Sequence, residues 1–79
     1  MTGAQMRAAR ALLGWSAQQL AEKSGVGVTT IRKNELSNST VTMIRANVDA
    51  ITRALEAAGV EFIPENGGGA GVRMRKAEG

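Results

Sequence analysis

The sequence predicts a mostly α-helical domain of four to five helices, followed by a C-terminal β-hairpin. Three observations predict it. Apolar residues recur at three- and four-residue spacing up to Ala58. Glycines and N-capping residues cut that stretch into short segments. After Gly59 the period drops to two, in two short runs around a Gly-rich segment.

Residues 2–13 read as the first helix. Thr2 is its N-cap, and Met6, Ala9, Leu12 and Leu13 form one apolar stripe. Gly14 ends it. The second helix opens at Ser16, where Ser16 and Gln19 fit a capping box that satisfies two orphan amides. Leu20 and Ala21 face inward, and Gly25 stops the helix. A third helix runs from about Val28 to Leu36. Gly27 stands where a Ser or Thr would cap better. The helical period puts Ile31, Asn34 and Glu35 on one face and Val28, Thr29, Arg32 and Lys33 on the opposite one.

Residues 37–40 form a polar loop. A longer helical region covers 41–58, with Val48, Ile51, Leu55 and Ala58 as its stripe. Asn47 is a candidate cap inside this region, so a break near Ala46 would give five helices rather than four. The hairpin pairs Val60-Glu-Phe-Ile63 with Val72-Arg-Met-Arg-Lys76. Val60, Phe62, Val72 and Met74 alternate onto one face, and Glu61, Arg73 and Arg75 onto the other. A two-stranded hairpin is marginal alone. Its apolar face therefore needs cover, from the helical body or from the hairpin of a second copy. Residues 1–59 are thus read as the helical domain, and 60–79 as a tail and candidate dimerisation element.

Composition excludes several classes of function. There is no Cys and no His, so disulfides, thiolate metal sites and the usual neutral-pH proton shuttle are all missing. The carboxylates are scattered, no metal-ligand spacing occurs, and no nucleophile has a base nearby. A non-enzymatic protein without metal, cofactor or small-molecule ligand is expected. No run approaches the roughly 18 apolar residues of a membrane span, and the N-terminus lacks the apolar core of a signal peptide. Cytoplasmic localisation is the expectation. The net charge of +3 permits a polyanionic partner without demanding one. Gly67–Gly71 lacks the Gly-Lys-Ser/Thr ending of a phosphate cradle and reads as a hairpin loop. Trp15 reads as a core residue, since one aromatic without interleaved cations makes no base-stacking platform.

Two short helices, a turn at Gly25 and Ile31 six residues later make a helix-turn-helix pattern. Ala21 is small because two helices cross there, and Val26 and Ile31 pin the third helix to the first two. The stretch Ala11-Leu-Leu-Gly-Trp-Ser-Ala-Gln-Gln-Leu-Ala-Glu-Lys-Ser-Gly-Val-Gly-Val-Thr-Thr-Ile-Arg-Lys-Asn-Glu35 resembles the Cro/CI-like, or XRE-type, helix-turn-helix regulators. Ile51-Thr-Arg-Ala-Leu-Glu-Ala-Ala-Gly-Val-Glu-Phe62 and the Gly-rich tail are similar to short proteobacterial members.

The resemblance implies a lambda-repressor-like fold. It also implies a sequence-specific regulator of the repressor type that binds a palindromic operator in double-stranded DNA as a homodimer. It assigns DNA contact to Gln18, Val28, Thr29, Thr30, Arg32, Lys33 and Asn38. Arg and Lys at such positions reach guanine or phosphate, while Thr29 and Val28 suit a thymine methyl. It favours an ion pair between Arg10 and Glu35. Candidate dimer contacts are Ile51 and Leu55 on the long helix and Val60, Phe62, Val72 and Met74 on the hairpin. A dimer would set two third helices about 34 Å apart, one turn of DNA.

There are two departures from the family pattern. Ala17 stands where the family has a phosphate-binding Gln, with Gln18 the nearest substitute. Asn34 stands at an inward, usually apolar position. Both favour the alternative reading, a protein-interaction module such as an antitoxin or anti-activator. RNA binding is weaker still, for want of aromatic platforms.

Overall fold

The computed structural model describes residues 1–76. Positions 77–79 of the expected tail lie outside the described residues. Four helices are followed by one antiparallel hairpin: α1 Gly3–Leu13, α2 Ala17–Ser24, α3 Val28–Glu35, α4 Arg45–Ala57, β1 Val60–Ile63 and β2 Gly71–Met74. The domain is mostly helical and has the lambda-repressor-like arrangement.

Local chemistry sets the first two helices. Thr2 Oγ1 accepts from the Gln5 amide at 3.0 Å, while Gln5 Oε1 accepts from the Thr2 amide at 2.9 Å. Ser16 and Gln19 repeat this reciprocal pair at the start of α2, at 3.0 and 2.8 Å. Each helix ends on a glycine in the left-handed region, Gly14 at φ 68° and Gly25 at φ 76°. Only glycine takes that conformation without a Cβ penalty.

The core gathers one stripe from every helix. Met6, Leu20, Ile31, Ile51, Leu55 and Val60 are its largest fully buried side chains, with Ala9, Ala17, Ala21 and Val26 between them. Trp15 packs at its margin as expected, with Lys23 Nζ over its ring at 6.0 Å. The burial of Ile51, Leu55 and Val60 corrects one expectation. These side chains are consumed within a single chain and leave no surface for a second copy.

The hairpin has the register Val60↔Met74, Glu61↔Arg73 and Phe62↔Val72. Its apolar face lies on its own helical body, with Phe62 and Val72 packed against the core. Gln5 fastens it: Gln5 Nε2 donates to the Gly71 carbonyl at 3.0 Å and more weakly to that of Ile63 at 3.4 Å. Tail and helical domain therefore share one core. In the connecting loop, Glu65 Oε1 accepts from the amides of Gly67 and Gly69, both at 2.9 Å. The Gly69 amide, then that of Gly67, holds this carboxyl below the ordinary carboxylate range.

The region 41–58 is a second correction. α4 begins only at Arg45, with Ile44 as an N-cap lacking any side-chain hydrogen bond, and Asn47 lies inside the helix. Residues 41–44 stay outside it, and the first two are drawn to other parts of the fold. The Val41 amide donates to the Met1 carbonyl at 3.1 Å, and the Thr42 amide to Asn34 Oδ1 at 2.9 Å. Thr2 and Thr40 form an isolated antiparallel bridge, and the Gly3 amide donates to the Ser39 carbonyl at 3.0 Å. The loop after α3 is thus stitched to the start of α1.

Candidate nucleic-acid interface

α2 and α3 meet through Leu20, Ala21, Val26 and Ile31, all buried. That contact leaves the far side of α3 in solvent. Thr29, Arg32 and Lys33 are exposed there, and Thr30 is half-buried at the flank. Among the described residues, neither Arg32 nor Lys33 forms an ion pair with a carboxylate. The result is a helix face that presents two cations and a hydroxyl to solvent, on a short element.

Val28 departs from the expected placement. It is half-buried and packed against the core. Its phase is that of a flank: it lies one turn before both buried Ile31 and exposed Arg32.

Three residues on the inner side hold α3 in position. Glu35 is 7% exposed and Arg10 21%, and the two form a bidentate pair. Arg10 Nε and Nη2 donate to Oε2 and Oε1 at 2.8 and 2.7 Å, and Arg10 Nη1 donates to the Trp15 carbonyl at 2.9 Å. Hydrogen bonding to Glu35 pushes the Arg10 pKa up, against the opposing effect of burial, so the guanidinium stays charged. Both polar side-chain atoms of Asn34, the buried amide at an apolar position, have partners. Its Nδ2 donates to the Thr30 carbonyl at 2.9 Å, and its Oδ1 accepts from Thr42. No buried side-chain polar atom lacks a partner among the described residues.

Arg7 completes the support, and sequence reasoning gave it no role. Its guanidinium donates to the Glu35 carbonyl and to Asn38 Oδ1. It therefore caps the C-terminus of α3 and fixes the exposed Asn38 beside it. Only the tertiary fold brings positions 7 and 38 together, so no local signal could have found this. Leu36 was also missed, although its signal was present. Thr29, Arg32, Lys33 and Leu36 fall at the three- and four-residue spacing of a single helix face.

Gln18 is exposed at the second position of α2. Ala17 before it is buried in the core, which accounts for the missing polar residue there. Of the expected DNA-contacting residues, the fold brings Thr29, Thr30, Arg32 and Lys33 together on or beside one face of α3. Asn38 sits at the end of that helix, and Gln18 stands apart on α2.

A family model described as helix-turn-helix matches residues 6–46, more than half of the chain. This chain belongs to the Cro/CI-like helix-turn-helix family. The matched span runs from within α1 through the whole helix pair and loop to the first residues of α4. Its members are DNA-binding regulators, and the geometry of α3 has the form that role requires. No curated protein matches the chain. Among the described residues, no group of His, Cys, Asp or Glu is placed to hold a metal ion, and no helix is long and apolar enough to cross a membrane.

Proposed function

We propose that this helix-turn-helix protein is a sequence-specific transcriptional repressor that binds a palindromic operator as a homodimer. The observation that carries the reading is the outer face of α3, where Thr29, Arg32 and Lys33 stand exposed and, among the described residues, the two cations form no ion pair. Laid in a major groove, Arg32 reaches guanine O6 and N7, and Lys33 reaches a second base edge or a phosphate. Occupying the operator excludes polymerase sterically. The action is cytoplasmic and uses no cofactor.

The two-fold symmetry of a palindrome requires a second copy. Of the expected dimer contacts, Ile51, Leu55 and Val60 are buried, which favours the hairpin margin. Neither strand gives its outer edge a backbone partner among the described residues. Met74 is 42% exposed there. Unpaired strand edges favour pairing with another chain. The protein-interaction reading loses one of its two supports, because Asn34 is satisfied internally rather than exposed to a partner.

Selection from random duplex DNA with the purified protein tests the proposal. An enriched palindrome is expected, with affinity that falls steeply as salt rises. Arg32→Ala should cost about 1–3 kcal/mol and relax one operator position, whereas Lys33→Ala on phosphate should weaken all sequences alike. If both variants keep wild-type affinity, α3 is not the reading element.

A further inference from the structure

Leu36 is 88% exposed, more than any other large apolar side chain among the described residues. Its position is imposed by its neighbours. Asn34 and Glu35, immediately before it, are both locked on the inner side of α3, one by Thr30 and Thr42, the other by Arg10. Arg7 grips the Glu35 carbonyl as well. With residues 34 and 35 held inside, a helix of 3.6 residues per turn must turn residue 36 outward. Leu36 therefore continues the face of Thr29, Arg32 and Lys33, about 10 Å along the axis from Thr29.

We infer that Leu36 packs on the deoxyribose carbons of the DNA backbone and supplies a contact that depends on neither sequence nor salt. The inference rests on the DNA-binding reading proposed above. In helix-turn-helix docking, the N-terminal residues of the recognition helix meet base edges. Leu36, the C-cap residue that follows α3, then stands at the wall of the groove. Polar groups flank it: Arg32 and Lys33 on one side, and exposed Ser37, Asn38 and Ser39 on the other. Hydroxyls, amides and cations at a groove wall take the phosphate oxygens. An apolar side chain set among them faces the sugar, the apolar part of that wall. The site is continuous with the cationic face, and Asn38 beside it is held by Arg7.

The test uses the full chain, the operator obtained by selection, and the variants Leu36→Ala and Leu36→Lys. Both substitutions are at an exposed position and should leave the melting temperature unchanged. For Leu36→Ala, affinity should fall about five- to tenfold, as expected for losing a partly buried aliphatic group. Its salt slope and base preferences should match wild type. Leu36→Lys places a cation at the same wall and should steepen the salt slope by about one phosphate.

Wild-type affinity in Leu36→Ala overturns the inference. So does a change of preference at a single operator position, which would mark a base contact instead. A fall in sedimentation mass would mark a protein interface and also overturn it. If the wild-type protein binds no selected duplex at any salt, the DNA reading itself fails, and the variants are not needed to see it.

Discussion

The Arg10–Glu35 pair sits where a carboxylate would be costly if alone. Breaking a buried pair costs about 3–5 kcal/mol because the remaining charge is stranded. Arg10 keeps a fifth of its surface in water, so Glu35→Ala is expected near 3 kcal/mol, measured by denaturant unfolding. Replacing both residues with apolar ones should cost less than the single change. This pair was legible from the helical period and the family resemblance together. The support from Arg7 was not. Arginine at position 7 looks like any solvated charge until the fold brings Glu35 and Asn38 beneath it. Val28 lies at the boundary of the two faces, between buried Ile31 and exposed Arg32, so the helical period alone does not assign it to either. Asn34 looked like a defect because its partners, Thr30 and Thr42, lie on α3 itself and on the following loop.

At the scale of elements, α1 and α2 were legible because their signals are local. Capping boxes and left-handed glycines act within four residues and override little else. The start of α4 was not legible, since the contacts that hold the preceding loop, from Val41 to Met1 and from Thr42 to Asn34, are tertiary. The same seam has a further consequence at Gly3. Alanine inside a helix is ordinarily better than glycine by about 1 kcal/mol. Here a Cβ at Gly3 would collide with the backbone carbonyl oxygens of Ser37 and Asn34. Gly3→Ala should therefore destabilise, by about 1–3 kcal/mol, reversing the usual sign. Thermal unfolding would show it, and DNA affinity should fall with it because the loop beyond α3 must shift.

For the whole molecule, the hairpin is the part with two tasks: it covers the core with one face, and its edges stand open. Removing residues 60–79 would strip Val60 from the core, so truncation confounds assembly with folding. Met74→Lys is the cleaner change. It places a charge on the exposed end of the hairpin, where edge lysines discourage strand pairing. Sedimentation should show a dimer for wild type and a monomer for the variant, with helical circular dichroism unchanged. A variant that stays dimeric would move the interface elsewhere. The class of fold was legible because period and punctuation changed together at Gly59. What the hairpin docks on was not, since Gln5 is hidden as an ordinary capping residue.

That one glutamine joins positions 66 apart in sequence, Gln5 and Gly71, so its bond closes nearly the full length of the chain. Contacts across such a span carry the largest loop-closure entropy and form late in folding, after the local helical contacts. Elements with few buried apolar contacts and open backbone edges, as this hairpin has, are the ones that open locally in the native state. Opening would lift Phe62 and Val72 off the helices and expose Val60 of the core. A second copy that captured the hairpin edges would oppose that opening by mass action, so resistance to heat would rise with protein concentration.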